Sequence, residues 1–199
     1  MTASANFANV ARRLRLPLGF VFGAIYLLVA RPTPLLLAIG GTIAFIGVLI
    51  RGWAAGHIVK NDQLATTGPY AHTRNPLYLG SFLIAIGFAF AAHWTMLVFV
   101  GAFFAVIYGP TIQREREYVR GRYPEPYREW AAHVPLFFPR LTPWRGGSGR
   151  THTPFSWALY FRHREWQAGL VFVLVIAWLA LVAWQVVDVP TFGGMRDTP

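Results

Sequence analysis

Two polar segments carry the residue types that could do chemistry beside a membrane, and the first runs from residue 57 to residue 80. It contains a Gly-Pro-Tyr turn at 68–70, and Arg74 and Asn75 stand directly before Pro76. Because proline suits the first position of a helix, Arg74 and Asn75 are expected at a helix N-terminus. Free N–H groups and the helix dipole favour an anion there. An ordinary capped helix, with the arginine reaching lipid phosphates, explains the pattern equally well.

The second polar segment, from residue 113 to residue 135, alternates acidic and basic side chains. Glu115 stands apart from the other acids because it closely follows an apolar run, so it is expected near the membrane surface. Ionisable groups at such a boundary are candidates for function, since they are costly unless satisfied. By spacing alone, however, a glutamate here is more often a surface salt-bridge residue than a ligand.

Several common catalytic arrangements are absent from the sequence. The chain has no cysteine, which excludes disulfides, thiol catalysis and Cys-ligated metal sites. No two histidines have the spacing of a zinc site. Neither a phosphate-binding glycine loop nor a Gly-x-Ser-x-Gly elbow occurs. We therefore expect no metal in this protein.

The elements that must position these residues are membrane helices. The 199 residues are 55% hydrophobic and only 13% charged, whereas an ordinary soluble domain carries roughly 25% charged residues. A spanning helix needs about 20 apolar residues, and the segments that approach this length are Leu16–Ala30, Leu35–Ile50, Pro76–Ala92, Trp94–Ile112 and Gln167–Val187. The sequence thus predicts an all-α, multi-pass integral membrane protein with about five transmembrane helices, folded as a single domain over residues 1–199.

The positions of the basic residues predict the orientation of the chain in the membrane. All but Arg31 and Arg196 of the 18 Lys and Arg residues fall before the first span, between the second and third spans, or between the fourth and fifth. Because basic residues favour the cytoplasmic side, the N-terminus is expected to be cytoplasmic and the C-terminus to lie on the opposite side. This topology, with anionic membrane lipids as partners, accounts for the net charge of +10 without nucleic acid.

The C-terminal part, about residues 151–190, follows a flexible Arg-Gly-Gly-Ser-Gly-Arg linker at 145–150. It mixes aromatic rings with arginines before the last span, which is typical of a helix lying at the membrane surface. Elsewhere, two Gly-x-x-x-Gly pairs (Gly19 with Gly23, and Gly52 with Gly56) predict close helix packing within the membrane.

Together, the two polar segments resemble the isoprenylcysteine carboxyl methyltransferase family, which is related to the phospholipid N-methyltransferases. The family pattern is Gly-Pro-Tyr, three residues, Arg-His-Pro, one residue, Tyr, one residue and Gly. After an apolar hairpin come Glu-Glu, a tyrosine-rich stretch and Val-Pro. The matching positions are Gly68, Pro69, Tyr70, Arg74, Asn75, Pro76, Tyr78, Gly80, Glu115, Arg116, Val119, Tyr123, Pro124, Tyr127, Trp130, Val134 and Pro135. The match covers roughly residues 50–140.

The resemblance implies methyl transfer from S-adenosylmethionine, in a pocket on the cytoplasmic face, to a lipophilic or small-molecule acceptor. A carboxyl oxygen is the expected target. The cofactor-binding residues carried over from the family motifs are Asp62, Gln63, Leu64, Ala65, Tyr70, Asn75, Pro76, Leu77, Tyr78 and Glu115. Arg74 and Glu115 are the expected catalytic residues, and the residues expected to bind the acceptor are Arg74, Arg114 and Tyr127.

The chain departs from the family pattern at three positions. Asn75 replaces a histidine, Arg116 replaces the second glutamate, and Thr111 replaces an arginine on the acceptor side. These changes keep two alternatives open. One is an NADPH-dependent membrane reductase of the sterol-reductase type, which shares a related signature but usually has more spans before it. The other is a non-catalytic membrane protein that retains the fold.

Overall fold

The computed structural model describes residues 17–58, 63–93, 95–146 and 153–187 of the chain. These residues form seven α-helices and a short 3₁₀ turn at Gly68–Ala71, with no strand among them. The helices in chain order are α1 (Pro17–Val29), α2 (Pro34–Ala55), α3 (Pro76–Ala92), α4 (Met96–Arg122), α5 (Pro124–His133), α6 (Trp157–Arg162) and α7 (Trp166–Ala183). The prediction of an all-α fold is confirmed.

Three of these helices are long and apolar enough to cross a membrane: α2 with 22 residues, α4 with 27 and α7 with 18. The helices α1 and α3 are also apolar but shorter. The protein is therefore an integral membrane protein. The count of five spans and the orientation of the two termini stay predictions.

The helices α2 and α3 pack as an antiparallel pair along a seam of glycines. Gly40 lies opposite Gly87, and Gly47 lies opposite Gly80. A Cβ atom added to Gly47 would stand only 2.6 Å from the Gly80 carbonyl oxygen, so no larger residue fits without moving the backbone. Close backbone approach of this kind lets helices associate in lipid, where apolar side chains gain nothing from leaving water.

The two Gly-x-x-x-Gly pairs named from the sequence do not form this seam. A Cβ atom on Gly19 or Gly23 would meet no described atom within 4 Å, so the prediction of close helix packing there is wrong. Gly52 and Gly56 instead face the aromatic rings of Tyr160 and Phe155 in the C-terminal part. Their small size admits side chains rather than a second backbone.

The expected hairpin between the third and fourth apolar segments is present. Helix α3 ends with Ala92 and α4 begins with Met96. The rings of Tyr78 and Tyr108 lie 5.7 Å apart between centroids, and those of Phe82 and Phe104 lie 4.8 Å apart, as antiparallel packing requires.

Helix α4 contains a π-helical turn at Phe104–Tyr108. Pro110 follows two residues later and has no N–H group to donate to the preceding turn, which favours a local change of helix geometry. Beyond this turn α4 loses its apolar character and continues to Arg122. Glu115 lies on this polar extension, as the alternating charges of the second polar segment predicted.

The C-terminal part folds back onto the polar end of α2. The N–H of Ser156 donates to the Gly56 carbonyl at 2.9 Å, and Nδ1 of His163 lies 3.1 Å from the Ala55 carbonyl oxygen. Helix α6 is thus tied to α2 by its ends, while the Trp157 ring on its outer side is exposed.

Candidate functional site

The two polar segments meet at one cavity of about 300 Å³, beside the first turn of α3. Its walls come from the loop before α3, the polar extension of α4 and helix α5. Most of the lining is apolar or aromatic, and its charged residues are Arg74, Glu115, Arg116 and Arg122.

Most of the residues expected to bind cofactor or acceptor line this cavity: Gln63, Leu64, Ala65, Tyr70, Arg74, Asn75, Pro76, Leu77, Tyr78, Glu115 and Tyr127. Asp62 lies outside the described residues. Arg114 does not line the cavity, unlike Glu115 and Arg116. The roles of these residues stay predictions, but the structure brings them together.

The cavity also includes residues that were not named as site residues from the sequence: Ile58, Arg116, Tyr118, Val119, Arg122, Tyr123, Trp130 and Leu136. Three of them, Tyr118, Val119 and Arg122, follow Glu115 by three, four and seven positions. That spacing defines one face of a helix, so it would have found them once Glu115 was chosen. Leu136 has no comparable signal, since it reaches the cavity through pairing between distant segments.

Backbone hydrogen bonds between two distant segments hold the loop before α3. The N–H of Arg74 donates to the Pro135 carbonyl at 3.0 Å, and the N–H of Trp144 donates to the Ala71 carbonyl at 3.0 Å. Because these bonds fix the backbone rather than the side chains, the side chains of the loop remain available to line the cavity. This pairing also gives the Val-Pro end of the second motif a structural role.

The turn that leads into this loop requires glycine at position 68. Gly68 has a φ of +57°, in the left-handed region that side chains other than glycine rarely adopt. A Cβ atom there would also stand 2.5 Å from the ring of His57. His57 is buried, with Nδ1 2.9 Å from the Trp53 carbonyl oxygen, so this histidine serves the turn and not the cavity.

Tyr70 brings a buried hydroxyl group to the cavity. The residue is only 6% exposed, and its hydroxyl has no hydrogen-bond partner in the described structure. Its backbone is fixed, because the Trp130 indole N–H donates to the Tyr70 carbonyl at 2.9 Å. Burial raises the pKa of Tyr70, and the negative charge of Glu115 raises it further. The hydroxyl therefore stays protonated and is a buried hydrogen-bond donor on a residue that lines the cavity.

Arg74 brings a second buried donor to the same cavity. Its Nη1 donates to the Tyr127 hydroxyl at 3.0 Å, and its guanidinium carbon lies 5.9 Å from the centroid of that ring. The Nε group is buried without a partner. Leaving a charged donor unsatisfied is costly, so Arg74 and Tyr70 make this cavity a candidate site for a ligand with acceptor groups.

Asn75, which replaces the family's histidine, uses its side-chain amide for a hydrogen bond within the protein. The Nδ2 group donates to the Leu136 carbonyl at 2.8 Å, and the side chain makes no capping bond to α3. The residue lines the cavity but mainly connects α3 to the segment after α5. This position can therefore lose a titratable ring without losing its structural contact.

Glu115 supplies the negative charge of the cavity from the face of α4. Its side chain is exposed at the rim, and Glu115 and Tyr70 line the same cavity. The cavity therefore offers a carboxylate, a protonated phenol and a partly unsatisfied guanidinium. That set can bind a zwitterion, with its cation at Glu115 and its anion at the buried donors.

Comparison with known proteins agrees with the motifs. A family model described as phospholipid methyltransferase matches residues 33–126, which include α2, α3 and α4. The cobalt-zinc-cadmium resistance protein CzcN of Cupriavidus metallidurans is 32% identical over 145 residues, covering 71% of this chain and 67% of that protein. The nickel-cobalt-cadmium resistance protein NccN of Alcaligenes xylosoxydans xylosoxydans is 34% identical over 113 residues, covering 55% of this chain and 51% of that protein.

No solved structure matches the chain. The family match ends within α5, so the C-terminal part that folds onto α2 lies beyond it. The resemblance drawn from the two polar motifs is confirmed, and the chain belongs to the phospholipid methyltransferase family, to which the isoprenylcysteine carboxyl methyltransferases are related.

Proposed function

We propose that this protein is an S-adenosylmethionine-dependent methyltransferase that methylates a carboxylate on a lipophilic or small-molecule acceptor at the membrane surface. The observation that carries the proposal is the pair of buried, unpartnered donors in one cavity, the Tyr70 hydroxyl and Arg74 Nε. Buried polar groups in native proteins are almost always hydrogen-bonded, so two unpartnered donors on residues that line one cavity support a ligand there.

The lining residues fit the chemistry of this cofactor. Glu115 can accept hydrogen bonds from its ammonium group, and the Tyr70 hydroxyl can donate to its carboxylate or ribose oxygens. The rings of Tyr78 and Tyr118 can face adenine or the sulfonium cation, which aromatic faces attract. The volume of about 300 Å³ lies at the lower end of ordinary small-molecule pockets.

The charges of the cavity favour an anionic acceptor. Arg74, Arg116 and Arg122 line it, against a single carboxylate at Glu115. A carboxylate acceptor is already nucleophilic at neutral pH and needs no base. An ammonium acceptor would need to lose a proton first, and no histidine lines the cavity among the described residues. Tyr70 cannot serve as that base, because its pKa is raised.

When bound, S-adenosylmethionine supplies a methyl group activated by its sulfonium charge. The protein's task is then to position the acceptor in line and to exclude water, more than to provide a strong base. Arg74 suits the acceptor carboxylate, because its bond to the Tyr127 hydroxyl fixes the guanidinium while Nε remains unsatisfied. The apolar lining, including Leu64, Leu77 and Val119, keeps water from the carboxylate.

The reductase alternative differs in the size of its cofactor. NADPH joins two nucleosides through a pyrophosphate, and a cavity of about 300 Å³ suits a single nucleoside better. Calorimetric titration of the detergent-purified protein with S-adenosylhomocysteine, and separately with NADPH, distinguishes the two. Saturable binding of the former alone supports the proposal. Binding of NADPH instead would support the reductase alternative. Binding of neither would contradict both the methyltransferase and the reductase hypotheses.

Glu115 provides a matched variant for this titration. We expect Glu115→Gln to weaken S-adenosylhomocysteine binding by roughly ten-fold or more, because a charge-assisted bond to the ammonium is lost. Glu117→Gln makes the same chemical change two residues away, on a side chain that does not line the cavity. Equal affinities for the two variants would refute the assignment of Glu115.

The curated relatives are named for resistance to cobalt, zinc, cadmium and nickel. We extend this to the present protein as part of the proposal: methylation in the cavity contributes to growth in those metals. Cells carrying the wild type or Glu115→Gln at matched levels would be grown with cobalt, zinc or cadmium. Better growth of the wild type links resistance to the cavity, whereas equal growth separates the two.

A further inference from the structure

An ion pair with a buried carboxylate joins the C-terminal part to the helices that carry the cavity. Arg51 on α2 contacts Glu165, with Nε 2.5 Å from Oε1 and Nη2 3.0 Å from Oε2. The Glu165 side chain is only 7% exposed. Such a bidentate pair is geometrically specific, and Glu165 would carry an uncompensated buried charge without Arg51, whose own side chain is 26% exposed.

Arg51 continues this connection to the first turns of α3. Its Nη1 donates to the Ser81 hydroxyl at 2.5 Å, and that hydroxyl donates to the Leu77 carbonyl at 2.9 Å. Leu77 lines the cavity. The stem of Arg51 crosses α3 at Gly80, where an added Cβ atom would stand 2.6 Å from the Arg51 Cγ. Gly80 of the first motif therefore provides the passage for this arginine.

A second connection reaches the loop on the other side of the cavity. The Thr153 hydroxyl accepts a hydrogen bond from Gln63 Nε2 at 3.0 Å, and the Thr153 carbonyl accepts one from the Thr67 hydroxyl at 3.3 Å. Gln63 lines the cavity, and Thr67 directly precedes the 3₁₀ turn that carries Tyr70. Two walls of the cavity are thus held by residues that lie beyond the family match.

We propose that the segment 153–165 is a brace that positions the cofactor cavity, with Thr153 and Glu165 as positioning residues that act through Gln63 and through Arg51 and Ser81. The inference rests on the proposed function for its ligand, but the brace itself is a property of the unliganded protein. It gives the C-terminal part a role in ligand affinity in addition to the membrane-surface position expected from its sequence.

The first test replaces Glu165 with glutamine. Hydrogen exchange of the unliganded protein should show faster exchange in peptides covering 72–82, and S-adenosylhomocysteine should bind roughly ten-fold more weakly. The control is Glu125→Gln, which breaks a pair with Arg128 whose side chains are 74% and 80% exposed. It should change neither measurement. Glu165→Gln with wild-type exchange over 72–82 would overturn the brace.

The second test separates positioning from general stability. Thr153→Val keeps the shape of the side chain but cannot accept the Gln63 bond, whereas Thr153→Ser keeps the hydroxyl. We expect the valine variant to bind S-adenosylhomocysteine several-fold more weakly and the serine variant to restore the affinity, with similar melting temperatures for both. A melting temperature lowered in both variants, at unchanged affinity, would mean that Thr153 serves stability only.

The two measurements also separate the brace from the proposed function. Failure of the wild type to bind S-adenosylhomocysteine would refute the methyltransferase proposal. Faster exchange over 72–82 in Glu165→Gln would then still support the brace, because that measurement needs no ligand. Wild-type binding together with unchanged exchange and affinity in Glu165→Gln would refute the brace alone.

Discussion

The glycine seam between α2 and α3 differs from the cavity at the polar end of these helices. The seam is tightly packed, whereas the cavity region has buried donors without hydrogen-bond partners. Along the seam, Gly40, Gly47, Gly80 and Gly87 bring two backbones together with no room for another atom. At the cavity, the Tyr70 hydroxyl and Arg74 Nε are buried without partners. The seam is therefore fully packed in the protein alone, whereas the cavity has two buried donors that a ligand could satisfy under the proposed function.

The difference shows how the same two helices serve stability and binding. Helix α3 contributes Gly80 and Gly87 to the seam and Pro76, Leu77 and Tyr78 to the cavity, with the two regions meeting within about one turn. Rigid packing of the seam allows the unsatisfied donors beside it to persist, because the surrounding structure over-determines their positions. Substitutions in the two regions should consequently have opposite effects on stability and on ligand binding.

The largest effect is expected in the seam. Gly47→Val places a branched side chain against the Gly80 carbonyl and Ile84, and should lower the free energy of unfolding by about 3 kcal/mol or more. Gly101→Ala is the control, because an added Cβ there meets no described atom within 4 Å and alanine is a better helix former. Unfolding in mixed micelles measures both. Equal stability of Gly47→Val and wild type would mean that α2 and α3 move apart to admit the side chain with no loss of free energy of unfolding.

A smaller effect, of opposite character, is expected for Tyr70→Phe. Removal of an unpartnered hydroxyl should leave the free energy of unfolding within about 1 kcal/mol of wild type or raise it, while S-adenosylhomocysteine affinity falls several-fold. Tyr26→Phe makes the matched comparison, because the Tyr26 hydroxyl donates to the Phe88 carbonyl at 2.7 Å. That variant should lose stability and keep affinity. A loss of stability in Tyr70→Phe would indicate a partner within the protein.

The smallest effect is expected for Asn75→His, which restores the family's residue. Asn75 lines the cavity, but its side-chain amide already donates a hydrogen bond to the Leu136 carbonyl. A histidine N–H can make the same contact, so we expect S-adenosylhomocysteine affinity to change by less than about three-fold. A much larger gain in affinity would mean that residue 75 contacts the ligand directly and does not serve only to hold α3 in place.

Local sequence signals predicted the elements that bear the site. Pro76 begins a helix as expected, and Glu115 lies on the polar extension of the fourth apolar segment. The motif residues around Tyr70 and Tyr78 line one cavity. They could be predicted because short motifs specify turns and helix starts through local interactions that the folded protein keeps. The helical period starting from Glu115 would have added Tyr118, Val119 and Arg122.

Long-range contacts were not predictable in the same way. Arg51 and Glu165 are 114 residues apart and pair through geometry that has no period in the sequence. The glycine seam repeats every seven residues in each helix, at Gly40 and Gly47 and at Gly80 and Gly87, and only the structure shows that the two rows face each other. Gly19 and Gly23 have the familiar spacing but meet no other helix among the described residues, since a small-residue pair encodes the ability to pack closely but not the surface that it meets.

The π-helical turn at Phe104–Tyr108 sets the phase between the membrane half of α4 and its polar half. Each residue of an α-helix advances the side-chain direction by about 100°. A π turn holds about one residue more than an α turn, so deletion of one residue within it would restore a regular α-helix and keep Glu115 on the face of the cavity, whereas deletion of one residue between this turn and Glu115 would rotate Glu115 relative to the membrane half by about 100°. The two halves of α4 are therefore coupled by residue number as well as by residue type: a chain with the same motifs can lose the extra residue of the π turn and keep its cavity face, but a chain that lacks one residue between the turn and Glu115 should present a different face to the ligand.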